Sequence, residues 1–232
     1  MSILVIIPAR GGSKGVLKKN IRNLNGLPLI AYTILAAKKV NDLTNIIVST
    51  DSKEIASVSR KYGAEVPFIR PQHLATDTAS GIDVIMHAIE FYESQGSYYD
   101  DVMVLQPTSP LRDDTDIKNC LEIYYKNKCD SVVSVCEAQV HPYLYRIIDE
   151  NGKLQDFIHQ DDKHMRRQDM PVVYQLNGAI YITSVRVFKE RKSFYGDIVL
   201  PYVMDNIKSI DIDTELDLKV AELIMKERMK HA

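Results

Sequence analysis

Apolar residues fall along this chain in two alternating patterns: short unbroken runs, and longer stretches in which they recur every three or four positions. Ile3-Leu4-Val5-Ile6-Ile7 is unbroken and mostly β-branched, as expected of a strand buried on both faces inside a parallel sheet. Pro8 ends it, because proline has no N–H for the ladder. Runs at 45–50, 102–105, 131–136 and 177–182 repeat the pattern. Between them the helical period predicts a helix from a proline at its first position, Pro28, to about Val40, with Leu29, Ile30, Thr33, Ile34 and Ala37 on one face. A second helix follows Asp51-Ser52-Lys53-Glu54, which reads as a capping box, and stops at Tyr62-Gly63. A third carries Ile82, Ile85, Met86, Ile89 and Tyr92, and its cap is Asp77, Thr78 or Ser80. A fourth spans 113–127 with an acidic first turn, and a last one ends near Lys230. Val66–Arg70 contains Pro67 and reads as an edge strand or an extended segment. The alternation predicts an α/β fold, Rossmann-like, with a mainly parallel sheet.

The rhythm breaks after residue 136. From 137 to 176 the segments are short and heavily charged, and Asn151-Gly152 signals a hairpin turn. Such a hairpin cannot bury a core alone. Residues 137–176 are therefore either an arm that lies on another surface or a loose insertion, and 1–136 with 177–232 form the core. Towards the C-terminus, Ser209–Asp217 has strand periodicity that places Asp211 and Asp213 on one face and Ile210 and Ile212 on the other.

Composition narrows the function by exclusion. The 232 residues make one domain of ample size, and a net charge of −2 gives no electrostatic case for nucleic acid or an anionic membrane. No apolar run reaches the length of a bilayer span, and no secretory leader is evident. Cys120, Cys129 and Cys136 are odd in number and lack C-x-x-C spacing, which suits reduced thiols in a cytoplasmic protein. No H-E-x-x-H pattern suggests zinc.

The candidate chemistry begins where the first strand ends. Arg10-Gly11-Gly12-Ser13-Lys14-Gly15, with Lys18 and Lys19 just beyond, combines exposed backbone N–H groups with cations at the carboxyl end of a buried strand. That combination suits a polyphosphate. It is neither a P-loop, since Gly15 follows Lys14, nor a G-x-G-x-x-G fingerprint. Asp51 at the next strand end is a helix cap or, alternatively, a ligand contact. Gln106-Pro107-Thr108-Ser109-Pro110 is a loop stiffened by two prolines, either a rigid connector or a platform for Gln106 and Thr108. Two carboxylates on one side, Asp211 and Asp213, make a hard-oxygen site suited to Mg²⁺. Asp213 or Thr214 could instead cap the last helix, whereas Asp211 sits between two isoleucines and needs a partner.

Five segments, taken together, resemble the CMP-sialic acid synthetases (acylneuraminate cytidylyltransferases), a family that includes CMP-legionaminic acid synthetases. They are Ile7-Pro8-Ala9-Arg10 through Ser13-Lys14-Gly15 to Lys19-Asn20, Arg70-Pro71 with Asp77-Thr78-Ala79-Ser80, Leu105–Arg112, Asn177–Tyr181 and Ser209–Leu218. They occur in the family's order and cover nearly the whole chain. The resemblance implies a nucleotide-diphospho-sugar transferase fold of three layers, whose inserted arm crosses to a second subunit of a homodimer and closes its site. It implies transfer of CMP from CTP to the anomeric hydroxyl of a nonulosonic acid, with release of pyrophosphate. It assigns Arg10, Ser13, Lys14, Gly15, Lys19, Asn20, Thr78 and Ser80 to the nucleotide, and Asp211 and Asp213 to Mg²⁺. Gln106, Thr108, Asn177 and Tyr181 would orient the sugar acid, and Arg10, Lys19 and Asp211 are the catalytic candidates. Two positions depart from the family pattern: Gly81 stands where a second serine is common, and Gln175 where sialic acid members carry arginine. The neutral Gln175 points towards a non-sialic nonulosonate, with Arg166 or Arg167 as candidates for the carboxylate. Two rival readings remain. The eight-carbon sugar-acid cytidylyltransferases are disfavoured by Gly11–Gly15, and a non-catalytic CTP-binding module is disfavoured by the intact acid pair.

Overall fold

The computed structural model describes residues 2–158, 166 and 169–230. Its centre is a six-stranded sheet. In chain order the elements are β1 (Ile3–Pro8), a two-residue hairpin of β2 (Asn23–Leu24) and β3 (Leu27–Pro28), α1 (Leu29–Lys38), β4 (Asn45–Ser49), α2 (Lys53–Lys61), α3 (Gly81–Ser94), β5 (Asp101–Leu105), α4 (Asp114–Lys126) and β6 (Ser131–Glu137). A second small hairpin, β7 (Arg146–Ile148) and β8 (Leu154–Asp156), precedes β9 (Tyr174–Ser184), α5 (Val185–Arg191), β10 (Val199–Val203) and α6 (Glu215–Lys230). The sheet order is β10-β6-β9-β5-β1-β4. All neighbours are parallel except β9, which runs antiparallel to both β5 and β6.

Three buried clusters define the layers. One face of the sheet, with Val5, Ile7, Val48 and Met103, packs under α1, α2 and α4 through Ile34, Ile55 and Ile117. The opposite face, with Leu4, Ile6 and Val104, packs under α3 and α5 through Ile85, Ile89 and Phe188. Both faces of β1 are therefore covered, which explains its unbroken apolar run. A third cluster lies beyond the sheet's end, where Leu218, Ala221 and Met225 of α6 meet Val16, Leu24, Leu111 and Ile212.

Four local expectations are revised. The helix after Pro28 begins at Leu29, so Pro28 is its cap and also pairs in β3; the turn before it, Asn25-Gly26, has positive φ at both residues, as a tight hairpin requires. The second helix is capped by Ser52, whose Oγ accepts from Ile55 N at 3.4 Å. Asp51 instead accepts from Gly11 N at 2.8 Å and braces the glycine loop. Residues 209–213 form no strand: the alternation of Ile210 and Ile212 reflects an extended segment whose Ile212 plugs into the third cluster. Residues 66–70 form no strand and are an extended segment, one of their two expected readings, following the Glu65 bridge to Ile47; β10 is one of the sheet's two edge strands and accommodates Pro201 because only one of its sides is paired. Finally, β9 begins at Tyr174 and takes in the last residues assigned to the arm.

Candidate active site

Strand direction gathers the site at one end of the sheet. The carboxyl ends of β1, β4, β5, β6 and β10 all open there. Because β9 is antiparallel, its first residues arrive at the same end, with Gln175 opposite Cys136 and Ile180 opposite Leu105. Open α/β sheets bind ligands at this edge. A cleft of about 720 Å³ lies there, lined by Arg10, Ser13, Lys14, Gly15, Lys19 and Asn20 of the N-terminal loop, by Gln106, Thr108 and Tyr181, and by Asp213. A second recess of about 550 Å³ shares Gln106 and Tyr181 and is lined further by Gln175, Asn177, Ser209 and Asp211.

The N-terminal loop is held rigidly at its base. Ala9 N donates to Ser49 O at 2.9 Å, and Asn20 Nδ2 donates to Arg10 O at 2.9 Å. Asn20 is buried, so its amide acts as a brace on Arg10. Gly15 packs against the C-terminal segment so closely that a Cβ there would collide with the Asp213 carbonyl oxygen. Lys19 Nζ reaches the same segment, 2.8 Å from Ile212 O and 2.9 Å from Asp213 Oδ1. Lys18 turns away and pairs with Glu54 at 2.8 Å.

A counter-charge closes the basic side. Asp77 lies 2.8 Å from Arg10 Nη1 and 2.6 Å from Lys14 Nζ. Its hydrogen bond from Lys14, with a second from Arg10, holds its carboxyl below the usual carboxylate range. Thr76, Asp77 and Ala79 are the residues of this loop that face the cleft; Thr78 and Ser80 do not line it. Ser80 caps α3, accepting from Ile82 N at 3.2 Å. Beneath them Arg70 lines the cleft with its guanidinium buried against Ser49 Oγ, at 3.1 Å, and Ser49 O; burial pulls its pKa down to about 10.

On the acidic side, Asp211 is exposed to the recess yet deep in it. Burial raises its carboxyl first, a hydrogen bond from Thr108 lowers it, and the negative charge of Asp213 raises it again. Ile212 N donates to Thr108 O at 2.8 Å, so the proline-stiffened loop and the acidic segment are tied together. Gly178, with φ of 71°, packs against the Gln106 amide, so a side chain there would be strained and would press on Gln106. Burial also raises the Tyr181 hydroxyl.

The structure revises the reading of Asn177. Its side chain is buried and its amide is spent inside the protein: Nδ2 donates to Ser209 Oγ at 2.9 Å, and Oδ1 accepts from Ser134 Oγ at 2.6 Å and Ala179 N at 3.2 Å. It positions the recess without presenting a free group to it. Gln175 does line the recess. Arg166 pairs locally with Asp169 at 2.7 Å, and Arg167 lies outside the described residues.

The donor set fits a hard divalent cation. Among the described residues no group of three His, Cys, Asp or Glu could hold a metal. Two neighbouring carboxylates, Asp211 with no cation paired to it among the described residues and Asp213 shared with Lys19, are the kind of oxygen donors Mg²⁺ uses when substrate phosphates and water complete its shell. Sequence reasoning passed over Arg70 and Asp77 as site residues. Asp77 hid behind its plausibility as a cap, and the signal that could have found it was an acid opposite two loop cations.

A family model described as Cytidylyltransferase matches residues 4–229. The chain is 41% identical to the CMP-N,N'-diacetyllegionaminic acid synthase of Legionella pneumophila over 97% of both chains. It is 34% identical to the pseudaminic acid cytidylyltransferase of Campylobacter jejuni, again over 97% of both. It is 37% identical to the N-acylneuraminate cytidylyltransferase of Escherichia coli over 97% of this chain and 52% of that protein. A solved CMP:2-keto-3-deoxy-manno-octonic acid synthetase, complexed with CTP, superposes with a TM-score of 0.70 at 15% identity, covering 98% of this chain and all of that one. At that identity the likeness speaks for the fold.

Proposed function

We propose that this chain, which belongs to the cytidylyltransferase family, transfers CMP from CTP to the anomeric hydroxyl of a nonulosonic acid and releases pyrophosphate. The observation that carries the reading is one cleft flanked by two charge types. Arg10, Lys14 and Lys19 line it from the N-terminal loop and Asp213 from the C-terminal segment, and Gln106 and Tyr181 join it to the recess of Asp211. Phosphoryl-type transfer asks the protein chiefly for charge neutralisation and alignment, which this arrangement supplies.

Arg10 and Lys14 exchange their ion pairs with Asp77 for phosphate oxygens, and Lys19 adds a third cation beside Asp213. Asp211 and Asp213 would hold Mg²⁺, which supplies Lewis-acid stabilisation of the charged phosphates. Thr108 orients Asp211, while Gln106, Gln175 and Tyr181 line the recess for the sugar acid. A diacetamido acid of the legionaminic type is the first acceptor to try. The Legionella relative is alike over its whole length, and Gln175 is neutral where sialic acid members carry arginine. The exposed hairpin β7–β8 closes the site of a second subunit.

The test is pyrophosphate release from CTP and Mg²⁺ with a panel of legionaminic, pseudaminic and sialic acids. The expected result is one CMP-sugar formed by the wild type and none by Asp211→Ala, which stays folded because Asp211 is exposed. CTP binding without pyrophosphate release for any acid would instead favour a regulatory module.

A further inference from the structure

The segment that carries the acid pair, residues 204–213, belongs to no helix or strand. Its position therefore rests on individual attachments. Met204 N donates to Val135 O at 2.8 Å, Ser209 Oγ accepts from Asn177, and Ile212 N donates to Thr108 O. Lys19 Nζ holds the segment's far end at Ile212 O and Asp213, and a further attachment, nearer the middle, is also ionic. Lys208 Nζ lies 2.6 Å from Asp113 Oδ2 and 3.0 Å from Asp116 Oδ2, at the N-terminus of α4.

Both carboxylates are fixed independently of Lys208. Asp113 caps α4, accepting from Thr115 N at 3.0 Å and Asp116 N at 3.2 Å. Asp116 is buried, accepts from Asp113 N at 2.9 Å to complete a capping box, and accepts from Tyr202 OH at 2.9 Å. Next to them is Arg112, 1% exposed. Its Nη2 donates to Thr33 Oγ1 at 2.6 Å and to Gln106 O at 3.4 Å, and the charges of Asp116 and Asp113 oppose the lowering of its pKa by burial. Lys208 and the two carboxylates thus form an ion-paired group at the start of α4, and the buried Arg112 guanidinium, which feels both charges without pairing to either, holds the 106–112 loop through Gln106 O. Lys208 is the member contributed by that segment, and it lines neither the cleft nor the recess.

We infer that Lys208 is a positioning residue for the acid pair: anchored between Asp113 and Asp116, it sets the register of the 204–213 segment against the 106–112 loop. That register fixes the Thr108–Asp211 hydrogen bond and the directions in which Asp211 faces the recess and Asp213 the cleft. The inference rests on the reading of these two aspartates as cation ligands. An ordinary part-exposed ion pair would add a little stability and nothing else. A positioning tie predicts a specific defect in divalent-cation binding, because supporting contacts behind metal ligands tune affinity.

The experiment measures Mn²⁺ binding to the full-length protein beside saturating CTP by electron paramagnetic resonance. CTP binding in EDTA and the thermal midpoint are measured in parallel for wild type, Lys208→Met, Lys208→Arg and Asp113→Asn. Lys208→Met is expected to weaken Mn²⁺ about tenfold and to leave CTP binding in EDTA unchanged. Lys208→Arg, which can still bridge the two carboxylates, restores most of the loss. Asp113→Asn retains the helix cap and shows a smaller loss in the same direction; it decides the matter if Lys208→Met does not fold. Wild-type Mn²⁺ affinity in Lys208→Met or, failing that, in Asp113→Asn overturns the inference. A wild-type protein that binds no Mn²⁺ beside CTP overturns the cation reading itself, and the inference with it.

Discussion

Lys19 Nζ lies 2.9 Å from Asp213 Oδ1, joining the first loop of the chain to the segment that precedes its last helix. The Lys19 side chain is 15% exposed and that of Asp213 73%, so the lysine is a fixed post and the carboxylate the part free to turn towards a ligand. Gly15 closes the same junction by packing on the Asp213 backbone. On the proposed reading, Lys19→Met removes the charge-assisted hydrogen bond that this cation gives a phosphate of CTP, about 1.5–3 kcal/mol. It is therefore expected to lower kcat/KM for CTP by about tenfold to a hundredfold. Gly15→Ala forces the 213 carbonyl to move and should weaken CTP binding without loss of fold, which calorimetric titration and a melting curve separate. Unchanged kcat/KM in Lys19→Met would remove this lysine from the reaction.

Asp77 occupies the two cations that the proposed triphosphate needs. Its carboxyl is held below the usual range, so the pairs with Arg10 and Lys14 are complete above the ordinary carboxylate pKa and are lost only as pH falls through the lower folded value. Across the neutral range Asp77 therefore competes with any polyphosphate. Asp77→Asn is expected to bind inorganic tripolyphosphate about threefold tighter than wild type at neutral pH. Pyrophosphate should inhibit it more strongly. Weaker binding would mean that Asp77 aligns the cations and does not compete for them.

The sheet was legible because burial on both faces leaves an unbroken apolar run, as in Ile3–Ile7 and Val102–Leu105. The cationic loop was legible because its residues are contiguous. What stayed hidden depends on contacts between distant positions. Nothing local to Asn177 says that its amide is consumed by Ser134 and Ser209. Nothing local to Asp51 says that its oxygen will meet Gly11 N while its neighbour Ser52 caps the helix. The strand expected at 209–213 failed for a related reason: one plugged isoleucine, Ile212, is enough to impose alternation without a pairing partner. β10 was overlooked because Pro201 interrupts it, although an edge position tolerates that.

Asp101 provides a stability test away from the cleft. It is buried at the start of β5 and accepts from Tyr124 OH at 2.8 Å and Tyr125 OH at 3.1 Å. Burial raises its carboxyl above the ordinary value, and the two phenols offset part of that rise. With the folded pKa above the unfolded one, its contribution is fully present below about pH 4 and declines as pH rises through the folded value. Asp101→Asn has no charge to bury, so wild type should lose stability relative to the variant between acidic and neutral pH. Urea midpoints measured across that interval check it. Parallel curves for the two proteins would mean that Asp101 titrates as it does in the unfolded chain.

The β7–β8 hairpin pairs with itself, from Arg146 opposite Asp156 to Ile148 opposite Leu154, and all but one of its six strand residues are exposed. Ile148 is 72% and Leu154 71% exposed, with Phe157 at 62% just beyond. An isolated two-stranded hairpin is marginal in water, and apolar side chains gathered on it are what a contact with another chain would use. If that chain is a second copy, Ile148→Asp and Leu154→Asp each place a charge in the contact without touching the three buried clusters. Both variants are expected to sediment as folded monomers where wild type sediments as a dimer. They should bind CTP normally and lose most of their turnover, because closure of each site comes from the partner. A wild-type monomer with full activity would assign these apolar residues another role.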